Sequence, residues 1–271
     1  MLLIFLAAIV LLPMVYTLTN SFMSADEVAR YYSGTLDEKS EETPFHIIPD
    51  EFSLSGYYGV LVARPDYLIS FWISLFLAAA IVLGQLVIAS LAAYAFSFFD
   101  FRMRHLLFFL TIVLMMMPYQ VTLVSNYIVL DKLGVLGGYS SIILPGIFSA
   151  FGVFLLRMIM KSVPQNIIEA AKVDGASHLR ILSSIVLPNC RAGIVSLVVL
   201  SFIDTWNMIE QPLVFLKDSS MYPLSIYLAE VNSRNYSLSF AGGMLAMVPV
   251  LILFLYFEDN LIEGISATNV G

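Results

Sequence analysis

Apolar residues run through this chain in long blocks with short polar breaks. No block alternates in the strict two-residue rhythm of a half-buried strand, and each is long enough for a helix. Six such blocks predict membrane-crossing helices at about 1–19, 67–98, 106–130, 142–160, 192–216 and 239–257. A crossing consumes about 20 residues, so six with their loops fill the 271 positions as a single transmembrane domain, residues 1–271. The expected fold class is an all-α integral membrane protein. The first block lacks the basic leader and small-residue cleavage site of a signal peptide and reads as a span. Its missing basic flank is consistent with a native start upstream of Met1.

Composition supports this reading. Hydrophobic residues make up 59% and charged residues 12%, about half the share of a soluble domain, and mean hydropathy is +0.88. The polar residues gather in two places. Residues 20–66 form an acidic stretch carrying Asp26, Glu27, Asp37, Glu38, Glu41, Glu42, Asp50, Glu51 and Asp66. It reads as a solvated external loop, or as a cap for an outside partner. Residues 161–188 form the second polar segment.

Basic residues near span ends set orientation. Arg102, Arg104, Arg157, Lys161, Lys172, Arg180 and Arg191 fall on the side of 161–188. Arg30, Lys39, Arg64, Lys132, Lys217 and Arg234 fall on the other, three of them in the long loop, where charge weighs less. Residues 161–188 are therefore expected in the cytoplasm.

Several classes are excluded or unsupported. Cys190 is alone, so no intrachain disulfide can form. His46, His105 and His178 show no ligand spacing, and no metal is expected. No Gly-rich phosphate loop is present, so this chain is expected to bind no cofactor. The net charge of −7 argues against nucleic acid.

Between the fourth and fifth blocks, Lys161 to Ala176 predicts a short capped helix. Ser162 and Gln165 have capping-box spacing, Pro164 suits a first turn, and Gly175 suits a left-handed close. Ile167, Ile168 and Ala171 are expected on one side, with a small surface at Ala170 and Ala171, while Glu169 and Asp174 offer charge to a partner.

The pattern Glu169-Ala170-Ala171-x-x-Asp174-Gly175-Ala176, running on to Ile185-Val186-Leu187-Pro188, resembles the EAA loop of ATP-binding-cassette importer permeases. Met117-Pro118-Tyr119-Gln120-Val121, Leu144-Pro145, Phe154-Leu155-Leu156-Arg157, Trp206-Asn207 and Pro212-Leu213 resemble the carbohydrate-uptake branch, near the smaller permease of the maltose importer. The resemblance implies a coupling helix (Glu169, Ala170, Ala171, Asp174, Gly175, Ala176) docked on a cytoplasmic ATPase dimer. It also implies a second permease as heterodimer partner, an extracytoplasmic solute-binding protein, and a multi-pass location in a prokaryotic cell membrane. ATP and magnesium would belong to the ATPase, and this chain would be no enzyme.

Polar groups inside spans are functional candidates. Asp204, Asn207 and Gln211 are expected to share a helical face near Glu210, with Trp206 as a sugar-stacking ring; Tyr119, Gln120 and Asn126 follow the Pro118 kink. They are candidates for the substrate path, or polar packing between helices. Met115-Met116-Met117 reads as packing, and Arg157 as snorkelling to the interface. The expected cargo is a carbohydrate, best matched by an oligosaccharide; glycerol phosphate or a polyol is the alternative within the family. An ion-coupled secondary transporter using Asp204 or Glu210, or a non-transporting scaffold, is the alternative outside it.

Overall fold

The computed structural model describes residues 1–32, 46, 48–232 and 236–268. The acidic centre of the first loop and the last three residues lie outside this range. The helices are α1 (Leu2–Asn20), α2 (Ala25–Tyr32), α3 (Ser55–Tyr58), α4 (Pro65–Phe98), α5 (Arg104–Met115), α6 (Tyr119–Lys132), α7 (Ser140–Gly146) and α8 (Ala150–Met160). They continue with α9 (Gln165–Val173), α10 (His178–Ile181), α11 (Leu187–Asn189), α12 (Arg191–Trp206), α13 (Glu210–Phe215), α14 (Leu224–Asn232) and α15 (Tyr236–Thr268). No strand occurs among the described residues.

Four stretches are long and apolar enough to cross a bilayer: Leu3–Asn20, Pro65–Phe98, Ser140–Met160 and Tyr236–Asp259. Two further candidates are bent pairs, α5 with α6 at 105°, and His178–Asn189 with α12 at 83°. Counting each pair once gives six. The third apolar block is thus no straight rod. Pro118 has no N–H to continue α5 and disfavours helical backbone at Met117; it instead occupies the N-cap of α6 with ψ at 134°. The fifth block also breaks, because α12 closes at Asn207 and a new short helix starts at Glu210. In the fourth block, extended Ser149 caps α8 by accepting the Gly152 N–H at 2.9 Å.

The chain folds as two compact units: Met1–Ser74 with Tyr222–Leu251, and Leu75–Met221 with Ile252–Gly271. In the first, the described residues of 20–66 are not all solvated loop. Ser24 caps α2 by accepting the Glu27 N–H at 3.2 Å, and Met23, Glu27, Val28 and Tyr32 are buried. The Tyr16 and Tyr32 hydroxyls meet at 2.6 Å, and Tyr67 donates to the Gly242 carbonyl at 2.9 Å. A Cβ on Gly56 would stand 3.1 Å from the Ser237 carbonyl oxygen, so α3 relies on this glycine for close approach.

The second unit has a core of Ala89, Ala93, Tyr94, Val153, Leu156, Met160, Ile181, Val186 and Leu197. Arg157 does not snorkel. It is 6% exposed, its guanidinium lies 3.5 Å from the Phe108 ring centroid, and its Nε donates to the Phe96 carbonyl at 3.4 Å. The aromatic face compensates part of its lost hydration. Nor is the methionine run packed within the chain: Met116 is 74% exposed, because α5 ends there and no continuing turn covers it.

Candidate functional site

Two places in the second unit bring together the residues singled out by sequence. The first is α9. Its C-terminus closes in a Schellman turn: Gly175 N–H donates to Lys172 O and Ala176 N–H to Ala171 O, both at 3.0 Å. Gly175 has φ +79°, a conformation that L side chains resist. Its N-terminus differs from expectation. The capping box does not form, since Pro164 takes the N-cap position and Ser162 Oγ donates back to Ile159 O at 2.7 Å. Gln165 donates instead to Glu169 Oε1 at 3.2 Å, one turn along the helix.

The helix sits on the core by a narrow seam. Ile168 is 1% exposed, and Val163, Ala171 and Ala176 pack into the same cluster. Ile167 is 43% exposed, a 100° step away from Ile168 on the helical wheel, so it does not join this seam. The two alanines part in the same way: Ala171 turns inward, and Ala170 lies outward with Glu169, Asp174 and Gly175. Just beyond, the Tyr94 hydroxyl and His178 Nδ1 are 3.0 Å apart, and Phe99 meets the imidazole edge-on at 4.6 Å. A short helix is thereby held firmly while a face with Ala170 and the charges Glu169, Lys172 and Asp174 stays uncovered.

The second place is a pair of cavities of about 460 and 530 Å³ that share Tyr119, Asp204, Met208 and Gln211 as lining residues. Asn126 lines the first; Gln120, Asn207 and Glu210 line the second. Gln120 Nε2 donates to both Glu210 oxygens, at 3.1 and 3.2 Å, which joins the start of α6 to the start of α13. The expected shared helical face is not the cause, since Asn207 ends α12 before Gln211 is reached. The breaks at Pro118 and Asn207 perform the grouping instead.

Trp206 is the exception. It is 4% exposed and stacks on Phe202 at 5.4 Å, and it lines neither cavity. The last helical residue of α12 turns its ring into the core, so the sugar-stacking role is withdrawn. Sequence reasoning missed Gln85, whose Nε2 donates to Gly146 O at 2.8 Å while its Oε1 accepts from Ser201 at 2.6 Å. It lines the first cavity with Thr122 and Ser149. An amide in the middle of the 67–98 block was a signal for this role. Both cavities contain carboxylates and amides, and neither is lined by lysine or arginine.

The family described as binding-protein-dependent transport system inner membrane component matches residues 85–266. A permease protein of an arabinooligosaccharide transport system (AraQ) from Halalkalibacterium halodurans is 26% identical, over 98% of this chain and 93% of its own. A permease protein of an sn-glycerol-3-phosphate transport system (UgpE) from Brucella abortus is also 26% identical, over 96% and 92%. Among solved structures, a chain of a bacterial ABC transporter involved in import of the acidic polysaccharide alginate superposes with a TM-score of 0.81. It is 22% identical, with 96% of this chain and 94% of that one covered.

Proposed function

Since this chain belongs to the binding-protein-dependent transport system inner membrane components, and so is a multi-pass transport subunit of the plasma membrane and not an enzyme, we propose that it imports a neutral carbohydrate through the cavity at Tyr119, Asp204 and Glu210. Membership sets aside the ion-coupled secondary transporter and the scaffold, because a family defined by binding-protein dependence takes its cargo from a separate protein. A family of this kind works with an ATPase and a solute-binding protein. The finer assembly belongs to this proposal: a second, different permease as partner, and a cytoplasmic ATPase dimer that holds ATP and magnesium and receives α9.

The observation that carries the coupling role is the placement of α9. Its inner seam is fastened through Ile168, Val163 and Ala171, and Glu169, Ala170 and Asp174 are left outward. A rigid, small-residue projection with Glu169 and Asp174 flanking Lys172 suits a groove on a partner that offers charge to these carboxylates, and the Tyr94–His178 contact links the same segment to α4. Closure of the ATPase pair moves the spans by pushing on this element, and alternating access follows as rigid-body rocking.

Electrostatics support the choice of cargo. Asp204 and Glu210 line the cavity with no cation beside them. A phosphate or uronate would face repulsion there, whereas sugar hydroxyls donate well to carboxylates and amides. A neutral oligosaccharide is favoured over glycerol phosphate on this ground, and a neutral polyol has the same chemistry in smaller form.

Purification in detergent tests the assembly. An ATPase pair, a second permease and a solute-binding protein should accompany the chain, and a solitary chain would refute the reading. Uptake by the reconstituted complex tests the cargo: neutral oligosaccharide should be carried in preference to glycerol phosphate, and the reverse preference would overturn the choice.

A further inference from the structure

A cluster in the first unit has no part in the transport reading. We infer that Glu27, His46 and Asp50 form a binding site for one divalent transition-metal ion of the Zn²⁺ or Mn²⁺ type. No metal is expected here from sequence, since the three residues are separated by 19 and 4 positions in no familiar motif. The fold gathers them: one ligand atom from each lies within 4.8 Å of the others.

The distances favour a shared ion over direct bonding. His46 Nε2 stands 3.6 Å from Glu27 Oε1 and 3.6 Å from Asp50 Oδ1, too far for hydrogen bonds. Ligands bound at about 2.0–2.1 Å around a tetrahedral ion are roughly 3.3 Å apart, close to the observed edges. The polar inventory adds independent weight. Glu27 is 0% exposed; its Oε1 accepts the Asp50 N–H at 2.6 Å. Its Oε2 and His46 Nε2 are buried without a hydrogen-bond partner among the described residues. A buried carboxylate so poorly compensated is costly, and a cation held among the three ligand atoms offsets its charge and gives the imidazole nitrogen a partner.

Tyr31 shapes the site from outside. Its hydroxyl donates to Asp50 Oδ2 at 2.9 Å, leaving Oδ1 toward the imidazole. Its ring stacks on His46 at 4.1 Å with a 10° tilt. Such support orients ligands in metal sites. One imidazole with two carboxylates suits Zn²⁺ or Mn²⁺, whereas Ca²⁺ takes six to eight oxygens. The ion would tie α2 to His46 and Asp50. None of its three ligands belongs to α9 or lines the polar cavity, so the site holds whether or not the transport reading does.

The test uses the full chain in its purified complex, stripped with chelator and dialysed. Zn²⁺ and Mn²⁺ are titrated by calorimetry, with Ca²⁺ and Mg²⁺ for comparison, and bound metal is counted by elemental analysis. The expected result is saturable binding of about one Zn²⁺ or Mn²⁺ per chain that His46→Ala weakens more than about 100-fold, beyond the range for supporting residues. Tyr31→Phe, which keeps the stack and removes the donor, should weaken it about tenfold. Unfolding curves of the stripped proteins check that the His46 variant folds, and Asp50→Asn replaces it otherwise. No saturable Zn²⁺ or Mn²⁺ binding, binding that survives loss of His46 or Asp50 unchanged, or preference for Ca²⁺ would overturn the proposal.

Discussion

The outward helix α9 and the polar cavity each present two carboxylates, Glu169 with Asp174 and Asp204 with Glu210, but they are built by different means. The α9 pair is spaced by five residues of one continuous segment, closed by its own Schellman turn. The cavity pair is also close in sequence, six residues apart, but the cavity around it needs α6 brought to α13 across 90 positions by the Gln120–Glu210 bond and needs helices that stop. One site is a local conformation that carries its own chemistry. The other exists only while several segments hold their places, so damage to packing should erase the cavity long before it alters α9.

The largest effect expected from breaking this contrast is at Trp206. As a core residue, Trp206→Ala should cost about 3–5 kcal/mol of stability, read as lost folded protein on heating in detergent. Trp206→Phe should preserve solute preference; a changed preference with unchanged stability would return the ring to the cavity. Next comes Glu169→Lys, where removing one member of a docked charge pair costs about 2–5 kcal/mol. Solute-stimulated ATP hydrolysis should fall about 30-fold or more while membrane insertion and solute-binding-protein capture persist. Retained stimulation would count against docking through α9.

Smaller effects sharpen the comparison. Glu210→Gln removes a charged acceptor worth about 1.5–3 kcal/mol, so half-saturating neutral solute in uptake assays should rise about tenfold or more with ATPase coupling intact. Gly175→Ala places a Cβ at φ +79° where no atom lies within 4 Å, so strain alone acts. The cost is about 1–2 kcal/mol, seen as a severalfold drop in stimulated hydrolysis with unchanged solute affinity. Ser149→Ala loses the α8 cap, about 1 kcal/mol, visible as a modest shift in thermal unfolding.

The same division explains what the sequence discloses. Apolar blocks and the turn at Gly175 report on neighbours in the chain, so the helical class, the approximate runs and the C-terminal closure of α9 are legible. The start of α9 is not, because Ser162 and Pro164 offer competing N-caps, and a locked proline φ settles the contest in favour of Pro164. Grouping Asp204 with Gln211 by helical phase reaches the right residues through a helix that does not persist past Trp206. The burial of Trp206 and Arg157 depends on Phe202, Phe96 and Phe108. The last two are distant in sequence from Arg157, and no periodicity encodes such meetings. Glu27 is hidden for the same reason, an acid that reads as loop surface until Asp50 and His46 arrive.

The interrupted helices have one more implication. At Met116–Pro118 and Asn207–Ile209 the N–H groups of Met116, Met117, Asn207 and Met208 still reach carbonyls three or four residues back, but the helix-terminal carbonyls of α5 and α12 have no continuing turn to receive, and Met117 and Met208 both line the first cavity. Hydrocarbon cannot satisfy such groups, at a penalty of several kcal/mol each. This flank of the molecule must therefore be hydrated or sealed by another polypeptide, and acyl chains are shut out of it.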